Sequence, residues 1–517
     1  MTKKAQRLGA ATAILVVAVA LSRVLGFLRD AVVAALFGAS GKTDAFYAAF
    51  TIPDILNYLV AGGTLSITFI PIYTRYLTSN DEAEGNRVLS IIATVMTVVL
   101  GVGIVVLECI TPQVAARYLH KLSPEDLQTA ISLTRILLPA QIFFYLGGLC
   151  SATLFARHRF TAAALAPLIY NFGTIAGGLL FGRRLGIASL AWGSVAGAFV
   201  GPFLLQAIAA GRAGVRYRPS FAARHPDFRA WLILSVPLMI GVSLVTADEW
   251  ILRYFAAADL GAISRLSYAR KLVLVPIALA GQAVGQASMP FFARLYAEGK
   301  RDELGALVAQ SARRSAEVAM LAACGMIALS IPLIDLLFRR GHFRAEDVAP
   351  TAQYLSIFAL SVPVWAMQGI FSRAFYSTSD TRTPMIAGTL ITIGSLPIYY
   401  LANRMFGVPG LVIASDIGII LHTAVLMILL PRRVSCDRSA VLAGVARAAI
   451  LGALAGAAAW MVARHLPVGA LAGHSLDLVQ LGAAGLTFLS VVIALAKPLK
   501  VEGVRLLLDR FSSLLYC

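Results

Sequence analysis

The chain has 517 residues, 59% of them hydrophobic and 14% charged, with a formal net charge of +18. A soluble domain is nearer half apolar and about a quarter charged, so this composition excludes one and points to an all-α polytopic membrane protein. The positive-inside rule accounts for most of the Lys and Arg excess by placing it in cytoplasmic loops, and no nucleic-acid partner is needed.

The first predicted span, 9–37, holds Arg23, Arg29 and Asp30 within SRVLGFLRD. A charge at the centre of a membrane helix costs roughly 2.5–3.5 kcal/mol on insertion scales, so charges kept there mark a polar cavity. Arg23 lies near the midplane at 1.5 Å per residue, too deep to snorkel. Arg29 points about 240° further round a regular helix, so a bend or unwinding at Gly26 is expected if both arginines face one cavity. Arg23 and Asp30 share a face, which leaves a local ion pair as the structural alternative. We expect Asp30 to orient one arginine and the other to hold a phosphate, which a planar guanidinium binds bidentately.

In the second span, 44–74, Asp44, Tyr47, Thr51, Asp54 and Tyr58 fall within about 80° of arc. A polar stripe in a membrane helix faces protein or water, so these residues are expected to line the cavity, with Asp44 as a gate or ion ligand. The next spans are 88–111, 125–156, 160–181 and 186–210, followed by the basic linker Gly211–Arg229. In the seventh, 228–256, Glu249 and Arg253 are spaced for a helical ion pair. In the eighth, 260–297, Lys271, Gln282, Gly285 and Gln286 share a face whose phase Pro276 can shift. The remaining spans are 304–338, 346–377, 384–403, 408–431, 438–465 and 476–497, giving about fourteen. Glu108, Asp335 and Asp416 read as interfacial, while Arg373 and Arg447 stay open between structural and cavity roles. The five scattered cysteines read as packing residues. The first apolar run is too long for a signal peptide.

Sliding the chain by about 220 residues lays PIYTRYL (71–77) on PFFARLY (290–296) and GLCSATLF (148–155) on GIFSRAFY (369–376). The repeat implies two six-helix lobes, 1–215 and 226–431, related by a pseudo-twofold along the membrane normal. An extra helix pair, 437–497, and a cytoplasmic interfacial helix, 498–517, complete the chain. The Lys and Arg distribution favours both termini inside, against the pairs Arg183–Arg184 and Arg339–Arg340. There is no HExxH, nucleophile elbow or P-loop. The expectation is therefore no enzyme, no metal and no cofactor, with energy from the membrane potential or an ion gradient.

SRVLGFLRD, TDAFYAAFTIPDIL and FIPIY, with Arg159, Phe160, Ala166, Pro167 and Asn171, YARKL before Pro276, and SDTRTP at 379–384, together resemble the MurJ (MviN) lipid II flippase family. That family belongs to the multidrug/oligosaccharidyl-lipid/polysaccharide exporter superfamily. The resemblance implies movement of an undecaprenyl-pyrophosphate-linked peptidoglycan precursor from the inner to the outer leaflet of a bacterial inner membrane. It implies membrane phospholipids and cell-wall synthesis proteins as further partners. Carried over by motif position, it gives Arg23, Arg29 and Lys271 as pyrophosphate contacts, and basic residues at Arg253 and Arg270 extend the set. Asp30, Asp44, Tyr47, Asp54, Asn57, Tyr58 and Gln282 are the expected cavity and gating residues. The chain departs from the pattern at Asn57 and Tyr58, where the family carries an arginine pair, and at Arg270, where it carries an acid. Two alternatives stay open: a flippase for another polyprenyl-pyrophosphate saccharide (O-antigen, capsule or exopolysaccharide unit), and a cation/drug antiporter, which the basic cavity disfavours.

Overall fold

The structure is a computed structural model, and it describes residues 21–61, 68–240, 244–378, 380–432, 434, 436–465 and 474–505. The start of the first predicted span and residues 506–517 of the predicted interfacial helix lie outside the described residues. The chain divides into two compact units, Met1–Gly241 and Val242–Cys517.

Unit 1 begins with α1 (21–37). A short corner follows, in which the Ser40 hydroxyl accepts from the Thr43 amide at 3.4 Å and caps α2 (Gly41–Ala49). The unit continues through α3 (Thr51–Ala61), α4 (Ile70–Thr78), α5 (Glu82–Tyr118), α6 (Pro124–Leu137), α7 (Ala140–Ala156), α8 (Thr161–Leu185) and α9 (Ala188–Ala198). A π-helical stretch around Pro202, Phe199–Leu205, leads to α10 (Gln206–Arg212), and α11 (Pro226–Ile240) closes the unit. The first half of the seventh predicted span, α11, thus packs within unit 1. There Phe228 and Trp231 enter a core with Phe69, Tyr73, Ile92 and Tyr145. Helices α8 and α9 meet along a glycine seam. A methyl group on Gly173 would stand 2.6 Å from the Gly197 Cα, and one on Gly177 would stand 2.7 Å from the Gly193 Cα. Such small-residue stripes let membrane helices approach backbone to backbone, and the Thr174 and Ser194 hydroxyls bond across this seam at 2.8 Å.

Unit 2 runs through α12 (Leu244–Ala256) and α13 (Ala262–Pro276), then a π-helical stretch, Ile277–Ala283, that leads into α14 (Val284–Ala297). The phase shift expected after Pro276 is therefore present. Next come α15 (Arg301–Ala328), bent by 75° into α16 (Ser330–Phe338), then α17 (Ala345–Leu360), α18 (Val362–Ser377) and α19 (Arg382–Leu429). At 48 residues α19 would run roughly 72 Å, over twice a bilayer core. It turns a corner at Gly407, whose φ of 63° and ψ of −145° suit glycine alone, and so serves the spans expected at 384–403 and 408–431. Helices α20 (Arg438–His465) and α21 (His474–Ala496) complete the unit. The described part of the predicted interfacial helix is tied to the protein: Val501 and Val504 are buried with Leu451 and Val492, and the Gly503 amide donates to Glu317 at 2.6 Å.

Helices, with breaks such as those at Phe50, Pro139 and Leu329, fill most of the described part of every predicted span. Among the described residues nine are long and apolar enough to cross a membrane, or ten if the bent α15–α16 pair is one span. The second and seventh predicted spans are each assembled from shorter helices, which length and apolarity alone do not select. Large apolar side chains such as Val98, Val102, Leu390 and Ile393 are exposed, while Asp30, Asp44 and Asp248 are buried. That inversion suits a chain solvated by lipid. Asp416, read as interfacial, is instead buried within unit 2, whereas Glu108 stays half-exposed, 3.7 Å from Arg135.

Candidate functional site

In unit 1, α1 places Arg29 and Asp30 at the centre of a polar cluster. Arg29 donates from Nε and Nη2 to Asp30 Oδ1, and from Nη1 to Asn171 Oδ1 at 3.3 Å. Tyr47, on α2, donates to the same Asp30 oxygen at 3.3 Å. Asn171 is held in turn by its Nδ2 on the Pro167 carbonyl at 3.0 Å. Asp30 is fully buried, and the Arg29 side chain keeps 17% exposure. A guanidinium carries five N–H groups; three are engaged, so two remain to meet an anion.

The expected unwinding at Gly26 does not occur. The helix is continuous over 21–37, and a methyl group on Gly26 would stand 3.8 Å from the Asn171 amide nitrogen. A regular helix sends Arg23 and Arg29 to different faces, so Arg23 is exposed and makes no hydrogen bond or ion pair among the described residues. The alternative Arg23–Asp30 pair is replaced by Arg29–Asp30.

Tyr170, on which the charges of Arg29 and Asp30 act, is one wall of a cavity of about 180 Å³ that Asp54, Asn57, Gln141, Phe144 and Ser194 also line and that the cluster's own side chains do not. It has room for several ordered waters. Asn57 donates to Gln141 Oε1 at 3.0 Å, bracing α3 against α7. The predicted stripe is split because the chain breaks at Phe50 between α2 and α3. Asp54 and Asn57 line the cavity, whereas Tyr58 is half-buried away from its lining. Asp44 is buried in the first turn of α2, where the helix dipole favours an acid.

In unit 2, Asp248 is 2% exposed and accepts from both Arg270 and Tyr399. The Arg270 guanidinium also lies 5.9 Å above the Phe358 ring. Arg253 pairs with Glu249 as its spacing predicted. The charges of Arg253, Lys271 and Arg270 all bear on Glu249. Arg270 is thus committed to the buried Asp248 and Arg253 to the half-exposed Glu249, whereas Lys271 is half-exposed and makes no hydrogen bond among the described residues. Gln282 is exposed, beyond the π-helical stretch's midpoint.

The sequence reading missed Asp248, Tyr399, Gln141 and Tyr170. Asp248 carried the same signal that singled out Asp30, an acid inside an apolar span. Among the described residues no cluster of His, Cys, Asp or Glu could hold a metal ion.

A family model described as "Lipid II flippase MurJ" matches residues 33–476. A protein of Burkholderia cenocepacia named lipid II flippase MurJ is 29% identical over 428 residues, covering 80% of this chain and 82% of that protein. A probable lipid II flippase MurJ of Rhizobium meliloti is 27% identical, covering 72% and 71%. Among solved structures, a lipid II flippase MurJ in an inward closed conformation superposes with a TM-score of 0.78 at 20% identity, over 94% of this chain and 99% of that one. An inward-facing multidrug transporter of the MATE family superposes at 0.66 and 15% identity, over 81% and 98%.

Proposed function

The chain belongs to the lipid II flippase MurJ family, and from that premise we propose that Arg29 is the residue that grips the pyrophosphate of the lipid-linked precursor as it crosses from the inner to the outer leaflet. The observation that carries this reading is the state of Arg29: held from one side by Asp30 and Asn171, with two donors uncommitted and its charge acting on Tyr170, a wall of the cavity. Charge compensation is what such a cargo needs, because an ionised group taken into hydrocarbon unpaired faces a very large desolvation cost. Lys271, which makes no hydrogen bond among the described residues, is the matching cation of unit 2. Arg23 is a contact for the headgroup from the exposed face of α1. Arg253 and Arg270 act one step back, as counter-ions that keep Glu249 and Asp248 from repelling the anion. Asp44 gates the pathway from the α1–α2 corner. The driving force is the membrane potential or an ion gradient, since one charge moved across 100 mV is worth about 2.3 kcal/mol.

The test is flipping of lipid II by the full chain in proteoliposomes, read by its accessibility on the outer leaflet. Wild-type protein should flip it, and well-folded Arg29→Ala protein should not. Equal rates for the two would overturn the role of Arg29. The headgroup is tested in the same vesicles by competition with another polyprenyl-pyrophosphate saccharide, the substrate favoured if the Asn57–Gln141 amide pair selects sugars.

A further inference from the structure

Unit 2 holds another cation at membrane depth, and this one has no acid beside it. Arg373, on α18, is half-buried, and its Nη1 donates to its own helix at the Gly369 carbonyl, 2.8 Å away. Among the described residues no carboxylate acts on it, and Tyr376 is the one ionisable side chain that does. Arg253 and Arg270 differ in this respect, since each has a carboxylate partner.

The guanidinium is pressed onto Gly285 of α14. A methyl group there would stand 2.8 Å from Nη1, 3.0 Å from Cδ and 3.2 Å from Cζ of Arg373. One turn earlier, a methyl on Gly281 would reach the Ala366 Cα at 2.9 Å, so α18 lies close against this whole stretch. Gln282 and Gln286 flank Gly285 and are both exposed. Lys271 lies on the same helical path fourteen residues earlier, roughly 20 Å away at 1.5 Å per residue.

We propose that Arg373, seated on Gly285 between Gln282 and Gln286, is a second phosphate station for the transported headgroup, at a different membrane depth from Lys271. This rests on the flippase reading above. An uncompensated guanidinium with four of its five donors open suits a pyrophosphate that arrives and leaves. Two separated stations on one helical path let the anion be passed on without entering hydrocarbon unpaired.

The experiment compares wild type, Arg373→Gln, Arg373→Lys, Gly285→Ala and the Gly285→Ala/Arg373→Gln double variant of the full chain in proteoliposomes. Flipping of lipid II is measured alongside folded yield and thermal midpoint. Arg373→Gln should lower the flipping rate at least tenfold with the midpoint unchanged, and Arg373→Lys should recover part of the loss. Gly285→Ala should also slow flipping, because it unseats the guanidinium, and should cost nothing further in the double variant. The defect should be equal in vesicles of phosphatidylcholine alone and with added phosphatidylglycerol. A defect confined to phosphatidylglycerol vesicles would assign Arg373 to bulk lipid and overturn the proposal. So would an Arg373→Gln rate within twofold of wild type, or a lowered midpoint that Arg373→Lys does not restore. Wild-type protein that fails to flip lipid II at all overturns the flippase reading itself, and this inference with it.

Discussion

Arg29 donates through Nε and Nη2 to a single oxygen of its chain neighbour Asp30, at 3.0 and 2.9 Å. Successive residues on a helix diverge by about 100°, so the long arginine side chain folds back to reach the short acid. The pair therefore needs no other element to form, and Asn171 and Tyr47 fix its orientation. Asp30→Ala should leave a buried guanidinium unpaired, a change that costs about 3–5 kcal/mol when one partner of a buried pair is removed, and should reduce folded yield. Asn171→Ala should keep the fold and slow flipping. Arg29→Lys, which retains the charge but not the fork, should retain only a fraction of the rate.

Tyr399→Phe removes one of the two donors to the buried Asp248 while leaving Arg270 in place. Loss of a hydrogen bond to a charged group is worth about 1.5–3 kcal/mol. A lowered thermal midpoint with flipping largely preserved at permissive temperature is the expected result. An unchanged midpoint would show that Arg270 alone satisfies the acid.

Lys271→Arg should be tolerated, since it keeps the cation and adds donors, whereas Lys271→Ala should slow flipping at least tenfold without changing folded yield. Rates in proteoliposomes decide both.

At the loop end of α11, outside the membrane, burial alone would push the Asp227 carboxyl up. The hydrogen bonds from Arg75 and Tyr76 and the charges of Arg75 and His225 outweigh it and hold the group below its ordinary range. A carboxylate depressed in the folded state contributes stability that is fully present above its unfolded pKa of about 3.9 and is lost as pH falls through the folded value. The thermal midpoint should therefore fall on acidification below about pH 4, and Asp227→Asn should flatten that limb.

Charges inside apolar runs were enough to single out Arg29, Asp30, Asp54 and Lys271, because the energetic penalty of each is local. Partners brought in from far along the chain were not legible. Asp248 sits beside Glu249, whose own partner Arg253 is four residues on, and that local pattern masked the acid. Its true donors lie 22 and 151 positions away. Gln141 and Tyr170 carry no formal charge and nothing in their neighbourhood sets them apart from ordinary span residues. The bend expected at Gly26 followed from assuming that Arg23 and Arg29 share one cavity. Once Arg23 is left on a different, exposed face, a continuous helix suffices. The shift after Pro276 was legible because proline removes a specific backbone donor.

With only hydrogens at Gly173, Gly177, Gly193 and Gly197, helices α8 and α9 have no layer of side chains on which to slide. They behave as one stiff blade. Asn171, which steadies Arg29, and Ser194, which walls the cavity, ride on that blade together. Widening or narrowing the cavity therefore falls to the remaining walls, Phe50 and helices α3, α6 and α7, and the Asn57–Gln141 bridge is the latch between α3 and α7.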